Sequence, residues 1–152
     1  MQRRPVLVTA ALLLVLSCRA EPYPSVGGTW EYASSLTFPS DFDVAPGQAY
    51  VCTYQASLSL DQASATFSGT YDSLTTACNS GGGSSGNTGT VLDGALSTSG
   101  ILSFDLDSPN WVSVGTLHGD SMGGIVTDSV IGLGGTELAS GTWSACKNRV
   151  CR

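Results

Sequence analysis

Cations are scarce in this chain: six Lys and Arg stand against twelve Asp and Glu among 152 residues, and His118 is the only histidine. That shortage excludes the basic surface that would neutralise nucleic-acid phosphates. One histidine excludes a histidine-rich metal site and leaves any hydrolase triad a single candidate base. Amphipathic helical spacing is also missing, so helices are expected to be nearly absent. Only one long apolar run occurs, Val6 to Leu16. Eleven residues at about 1.5 Å each make a helix of roughly 16 Å, well short of a ~30 Å hydrocarbon core, so a permanent span is not expected. What the chain does have is Gly, Ser and Thr between short β-rich runs, and five cysteines.

The apolar run follows Met1-Gln2-Arg3-Arg4-Pro5, and together they form the charged and hydrophobic regions of an export signal. Val15-Leu16-Ser17-Cys18 then resembles a bacterial lipobox, with Leu16 larger than the residue usual at its place. The resemblance implies diacylglyceryl transfer to the Cys18 thiol, cleavage before it, and a palmitate-type chain on the new amino group. Several acyl chains hold a protein stably where one would be marginal. Arg19 is not the aspartate of an inner-membrane retention signal, which implies the outer membrane. The alternative is cleavage after Ala20, because Cys18-Arg19-Ala20 loosely fits a small-x-small site and would give a secreted or periplasmic protein.

The expected organisation is a signal peptide (1–17), a lipidated tether (18–27), a β-barrel domain (28–146) and a C-terminal tail (147–152). Removing 17 of 152 residues leaves 135, enough for one domain with a real core. Arg3 and Arg4 leave with the signal, so four bases face twelve acids and the net charge becomes −8. Nucleic acid and anionic headgroups are therefore disfavoured as partners. Arg19 to Gly27, with Pro22 and Pro24, reads as an extended tether of about 30 Å.

Eight strands are expected, near 28–37, 48–60, 65–73, 89–97, 100–106, 111–118, 120–127 and 136–146. The second alternates most clearly, with Tyr50, Cys52, Tyr54, Ala56, Leu58 and Leu60 on one face. Eight sequential strands with short links point to an all-β, antiparallel up-and-down barrel, because closure removes exposed sheet edges; a β-sandwich is the runner-up. The long connections Phe38–Gly47, Leu74–Thr88 and Asp128–Gly135 would all fall at one end, giving one plain and one elaborated end. Gly28-Thr29-Trp30 and Gly141-Thr142-Trp143 would meet on neighbouring strands, with Trp30 and Trp143 as a closing seam at the plain end. Apart from Cys18, four cysteines remain, and two disulfides are the default in an exported chain. The topology sorts them as Cys52 with Cys78 and Cys146 with Cys151. The first would contribute about 3 kcal/mol by loop entropy.

Gly28-Thr29-Trp30, Ser68-Gly69-Thr70-Tyr71 and Gly141-Thr142-Trp143 resemble the strands of small avidin-like and lipocalin-like barrels, and especially of uncharacterised bacterial lipoproteins that repeat them. The resemblance covers roughly Gly27 to Cys146 and implies a fold. The side chains with which avidins hold biotin have no residue-by-residue counterpart here, so biotin is not implied.

No catalytic, metal or cofactor site is expected. His118 sits beside Gly119 at a turn, with Asp120 near and no nucleophile-elbow motif. The Gly81–Gly86 run lacks the Lys and the helix of a phosphate loop and reads as a flexible loop. Asp41, Asp43, Asp105, Asp107 and Asp128 should project to the elaborated end, where hard oxygens could take calcium; with no calcium-loop spacing they read as solvated acids. Tyr32, Tyr54, Phe67, Tyr71, Phe104 and Trp111 are the candidates to line an interior.

The expected role is non-enzymatic: a lipid-anchored outer-membrane barrel that binds a small apolar or amphipathic ligand, or a protein partner, at its loop-rich rim. The alternatives are a structural envelope lipoprotein with a filled barrel and, behind it, a hydrolase. The anchor has a direct check. The intact mature protein should carry the mass of a chain beginning at an acylated Cys18; the mass of an unmodified chain beginning at Glu21 would remove the anchor.

Overall fold

The structure is a computed structural model that describes residues 23–39, 49–107, 110–132 and 135–151. The signal peptide, Cys18, Asp41 and Asp43 lie outside the described residues. Eight strands run in order: β1 (Gly28–Phe38), β2 (Tyr50–Ala63), β3 (Thr66–Cys78), β4 (Gly83–Leu96), β5 (Ile101–Leu106), β6 (Trp111–His118), β7 (Ser121–Gly132) and β8 (Gly135–Lys147). Each pairs antiparallel with its neighbours, and β8 returns to β1 to close a barrel. The expected up-and-down barrel is therefore the observed fold.

Alternation decides which side chains go inside. On β2 the interior takes Cys52, Ala56, Leu58 and Leu60, while Thr53, Gln55 and Ser59 face out. Interior chains include Trp30, Tyr32, Leu36, Phe67, Leu102, Phe104 and Trp143, all buried. Burying one Leu or Phe of this kind stabilises by about 1.5–3 kcal/mol.

The plain end is sealed. Val26 is fully buried; its N–H donates to Gln62 Oε1 at 2.7 Å, and its carbonyl accepts from Trp30 Nε1 at 2.7 Å. Gln62 also donates to the Pro24 and Ser64 carbonyls. Lys147 Nζ lies 5.4 Å from the centre of the Trp30 ring. The segment Tyr23–Gly27, expected as free tether, is docked where it is described.

The elaborated end differs from expectation. The stretch Leu74–Thr88 is mostly ladder, because β3 continues to Cys78 and β4 begins at Gly83. A register shift beside Ser73 conceals this continuity in the sequence, and a second irregularity lies further along β4. Ser73 (φ 56°) and Asp93 (φ 50°) sit where the β3–β4 and β4–β5 registers shift, so Tyr71 and then Leu74 face inward and the period of two is broken. Gly81–Gly86 is thus partly strand, with only Gly81 and Gly82 in the turn. Asp128–Gly135 likewise belongs to the β7–β8 hairpin, paired out to Gly132 and Gly135.

Both disulfides pair as expected. Cys52 lies directly opposite Cys78 with Cα atoms 4.1 Å apart, and Cys146 joins Cys151 just past β8. The tryptophan seam is corrected. Trp30 pairs with Lys147 and Trp143 with Ser34, a four-residue offset that puts Trp30 at the plain end and Trp143 in mid-barrel. The closing contact there is Tyr32 stacked on Trp143, with centroids 5.9 Å apart.

Trp143 has room because two glycines face inward beside it. Gly124 pairs with Trp143 and Gly115 with Gly124, and the indole crosses both to donate to the Val114 carbonyl at 3.2 Å. A Cβ on Gly115 would lie 2.7 Å from Trp143 Cζ2 and 2.3 Å from the Gly123 carbonyl oxygen. Gly115→Ala should therefore overpack the middle of the barrel and cost about 1–3 kcal/mol, read as a lower denaturant midpoint at an unchanged m-value.

Candidate functional site

The interior changes character with height. In its lower and middle part, Phe104 packs edge-on against Tyr32, Phe67 and Trp143, with centroids 6.4, 6.0 and 5.2 Å away. Such pairs add about 0.5–1.5 kcal/mol each beyond their buried area. Phe67 and Phe104, candidates to line an interior, here fill it.

Above these rings the wall turns polar. Tyr32 and Ser34 on β1 and Ser113 on β6 are 2%, 6% and 0% exposed. The Tyr32 hydroxyl, Ser34 Oγ, Ser113 Oγ and the Trp111 indole N–H are all buried, and none makes a hydrogen bond within the described protein. Burial pushes the Tyr32 hydroxyl above its ordinary pKa, and Ser34, Ser113 and Trp111 face it closely enough to oppose that rise. Leaving one such group unsatisfied costs about 1–3 kcal/mol. The four converge on the Tyr32 hydroxyl as a polar floor, where small shifts would let them partner one another or a polar group supplied from elsewhere.

Over this floor, at the elaborated end, stand buried Phe38 and the half-buried Tyr50, Tyr54 and Trp111. Tyr54 meets Trp111 edge-to-face at 4.7 Å, and Phe38 meets Tyr50 at 5.2 Å. Two carboxylates share the level. Asp128 lies opposite Trp111 on β7, and Glu137 is diagonal to it on β8; alternation with buried Val126 and Ala139 turns both inward. Glu137 Oε2 is buried without a hydrogen-bond partner. Desolvation raises the Asp128 pKa. Burial, then the Asp128 charge, then Tyr50 and Tyr32 push Tyr54 up to about 12.

The structure thus brings together three of the six proposed lining residues, Tyr32, Tyr54 and Trp111. Ser34, Ser113 and Glu137 join them without any sequence signal: serine is common in this chain, and only the register shows which serines point inward. Tyr71 has another task. Its hydroxyl donates to Asp107 Oδ2, while Asp107 Oδ1 accepts from the Thr90 N–H at 2.5 Å and hydroxyl at 3.1 Å. Gly89 leaves space for that carboxylate, since a Cβ there would sit 2.0 Å from it.

Of the described rim acids, Asp105 and Asp107 do not join Asp128, in keeping with solvated or locally paired acids rather than a calcium site. Asp107 is tied at the end of β5, and Asp105 alternates outward from buried Phe104 and Leu106 toward Asp93, with burial and that charge raising its pKa. Among the described residues, no three His, Cys, Asp or Glu form a group able to hold a metal ion. His118 is exposed at the β6–β7 turn, where its carbonyl accepts from the Ser121 hydroxyl. A hollow of about 710 Å³ lies beside Cys146 and Cys151, and a groove of about 340 Å³ runs along β1 past Ser34, Tyr54 and Trp143.

The sequence matches no protein-family model, and comparison with characterised proteins finds no match. An eight-stranded antiparallel barrel is consistent with a lipocalin-like fold.

The Tyr71–Asp107 pair carries a pH signature. Burial, then the Asp107 hydrogen bond and charge, raise the Tyr71 pKa to about 12. Between pH ~10 and ~12 the native state keeps a proton that the unfolded chain has lost, so stability falls as pH rises through that window. Tyr54 behaves alike. Tyr71→Phe should therefore flatten part of the alkaline fall in melting temperature, and a melting temperature–pH profile parallel to wild type would refute the pairing.

Proposed function

We propose that this chain is a non-enzymatic lipoprotein of the bacterial outer membrane, held by acylated Cys18, that takes a small amphipathic ligand in the cup under its elaborated rim. One observation carries the reading: four buried, unpartnered polar atoms lie beneath a ring of buried and half-buried aromatic side chains. Ligand sites commonly combine such apolar walls with a few convergent polar groups. The filled lower barrel restricts the ligand to a head group or a short chain. The avidin-like and lipocalin-like resemblance of Gly28-Thr29-Trp30 and its companion motifs suits a binding barrel and names no ligand.

Docking of Tyr23–Gly27 at the plain end favours an orientation with that end toward the membrane and the rim away from it. Neither nucleic acid nor a cofactor enters this reading. A second reading, a structural envelope lipoprotein, is favoured by the Tyr32–Phe67–Phe104–Trp143 packing, which leaves little interior to fill.

Native mass spectrometry of the protein purified from its own envelope separates the two. The binding reading expects a covalent lipid increment and a small non-covalent mass shed on gentle activation. A wild-type spectrum with lipid and no such mass would support the structural reading instead.

A further inference from the structure

Among the described residues, the mouth of the barrel combines two inward carboxylates, four aromatic rings and no base. Asp128 and Glu137 stand on adjacent strands, with Tyr54 and Trp111 in contact on one flank and Phe38 and Tyr50 in contact on another. Among the described residues the Lys and Arg are Lys147 and Arg149, both at the plain end. Beneath lie the unpartnered Tyr32, Ser34 and Ser113 hydroxyls, each more than nine-tenths buried.

We propose that this mouth binds an organic cation, an alkylammonium head group whose chain also carries a hydroxyl or similar polar group. The inference rests on the ligand-binding reading above and names the class of ligand. A buried carboxylate needs a countercharge or hydrogen-bond partners, and the protein supplies no cation here. Ring faces attract diffuse cations, most strongly where water is displaced. A hard metal ion would want more oxygen ligands than two carboxylates provide, and among the described residues no three His, Cys, Asp or Glu gather here. At the floor, the three hydroxyls can donate or accept while the indole N–H only donates, so a ligand hydroxyl can satisfy several at once. Desolvation raises the Asp128 pKa, the direction that a neighbouring cation would oppose.

The test uses the full-length lipoprotein in neutral detergent micelles, with Trp111 fluorescence and calorimetry as readouts. The probes are choline and its uncharged isostere, in which carbon replaces the quaternary nitrogen. Choline should bind at least about tenfold more tightly than the isostere. Asp128→Asn should lose about tenfold or more, Glu137→Gln should weaken binding, and Asp120→Asn, at the opposite end, should change nothing. Asp128→Asn should melt no lower than wild type at neutral pH, which separates lost binding from unfolding; if it does not fold, Glu137→Gln decides. Equal binding of choline and isostere, or full affinity in folded Asp128→Asn and Glu137→Gln, overturns the cation assignment. Neither result touches the native mass spectrum, so a bound ligand of another class would still leave the broader reading standing.

Discussion

Everything inside this molecule follows from the closure of eight strands. Once β8 pairs with β1 the circumference is set, and an eight-stranded barrel has just enough interior for side chains to fill it. Every inward residue then competes for one narrow column. Trp143 takes the middle by lying over Gly115 and Gly124, and Phe104, Phe67 and Tyr32 pack around it. Below them Trp30 and the plug at Val26 complete the seal. Above, the same column meets the small Ser34 and Ser113, with Leu36, Cys52 and Leu106 buried at the next inward positions of β1, β2 and β5. The polar floor is where the aromatic fill ends.

Much of this architecture can be read directly from the residues. Strand number, closure and both disulfides follow from alternation, turn residues and cysteine placement. The errors have local causes. At Ser73 and Asp93 a left-handed residue inserts a bulge and reverses the alternation, so strand written in Ser, Gly and Asn reads as loop. The paired Gly-Thr-Trp motifs suggest facing tryptophans, but their levels depend on the offset between first and last strands, which no local pattern encodes. The site was legible only where it is aromatic. Tyr32, Tyr54 and Trp111 stand out in any reading, whereas Ser34, Ser113 and Glu137 acquire meaning from register alone.

Charge is distributed with the same polarity as packing. Every base after Cys18 (Arg19, Lys147, Arg149 and Arg152) lies next to the anchor position or beyond the start of the last turn of the chain. A field this uneven acts over a Debye length of about 8 Å at physiological salt. Under the anchored reading the described bases, Lys147 and Arg149, lie at the end nearest the tether, and the acidic rim is held away from an anionic surface.

The two rim aspartates show why position matters more than count. Asp107 loses hydration at the end of β5, but Tyr71 and the Thr90 N–H and hydroxyl outweigh that loss and lower its pKa. Its contribution is present above the ordinary carboxylate range and lost as pH falls through its depressed pKa, so it serves the fold. Asp128 has the opposite sign. Desolvation raises its pKa, so the native state holds a proton that the unfolded chain gives up first, and the fold is less stable above that window than below it. Tyr54 and Glu137 face it, and neither supplies a positive charge. Under the cation-binding reading, a cation held beside Asp128 and Glu137 would lower the Asp128 pKa and favour the folded barrel by linkage.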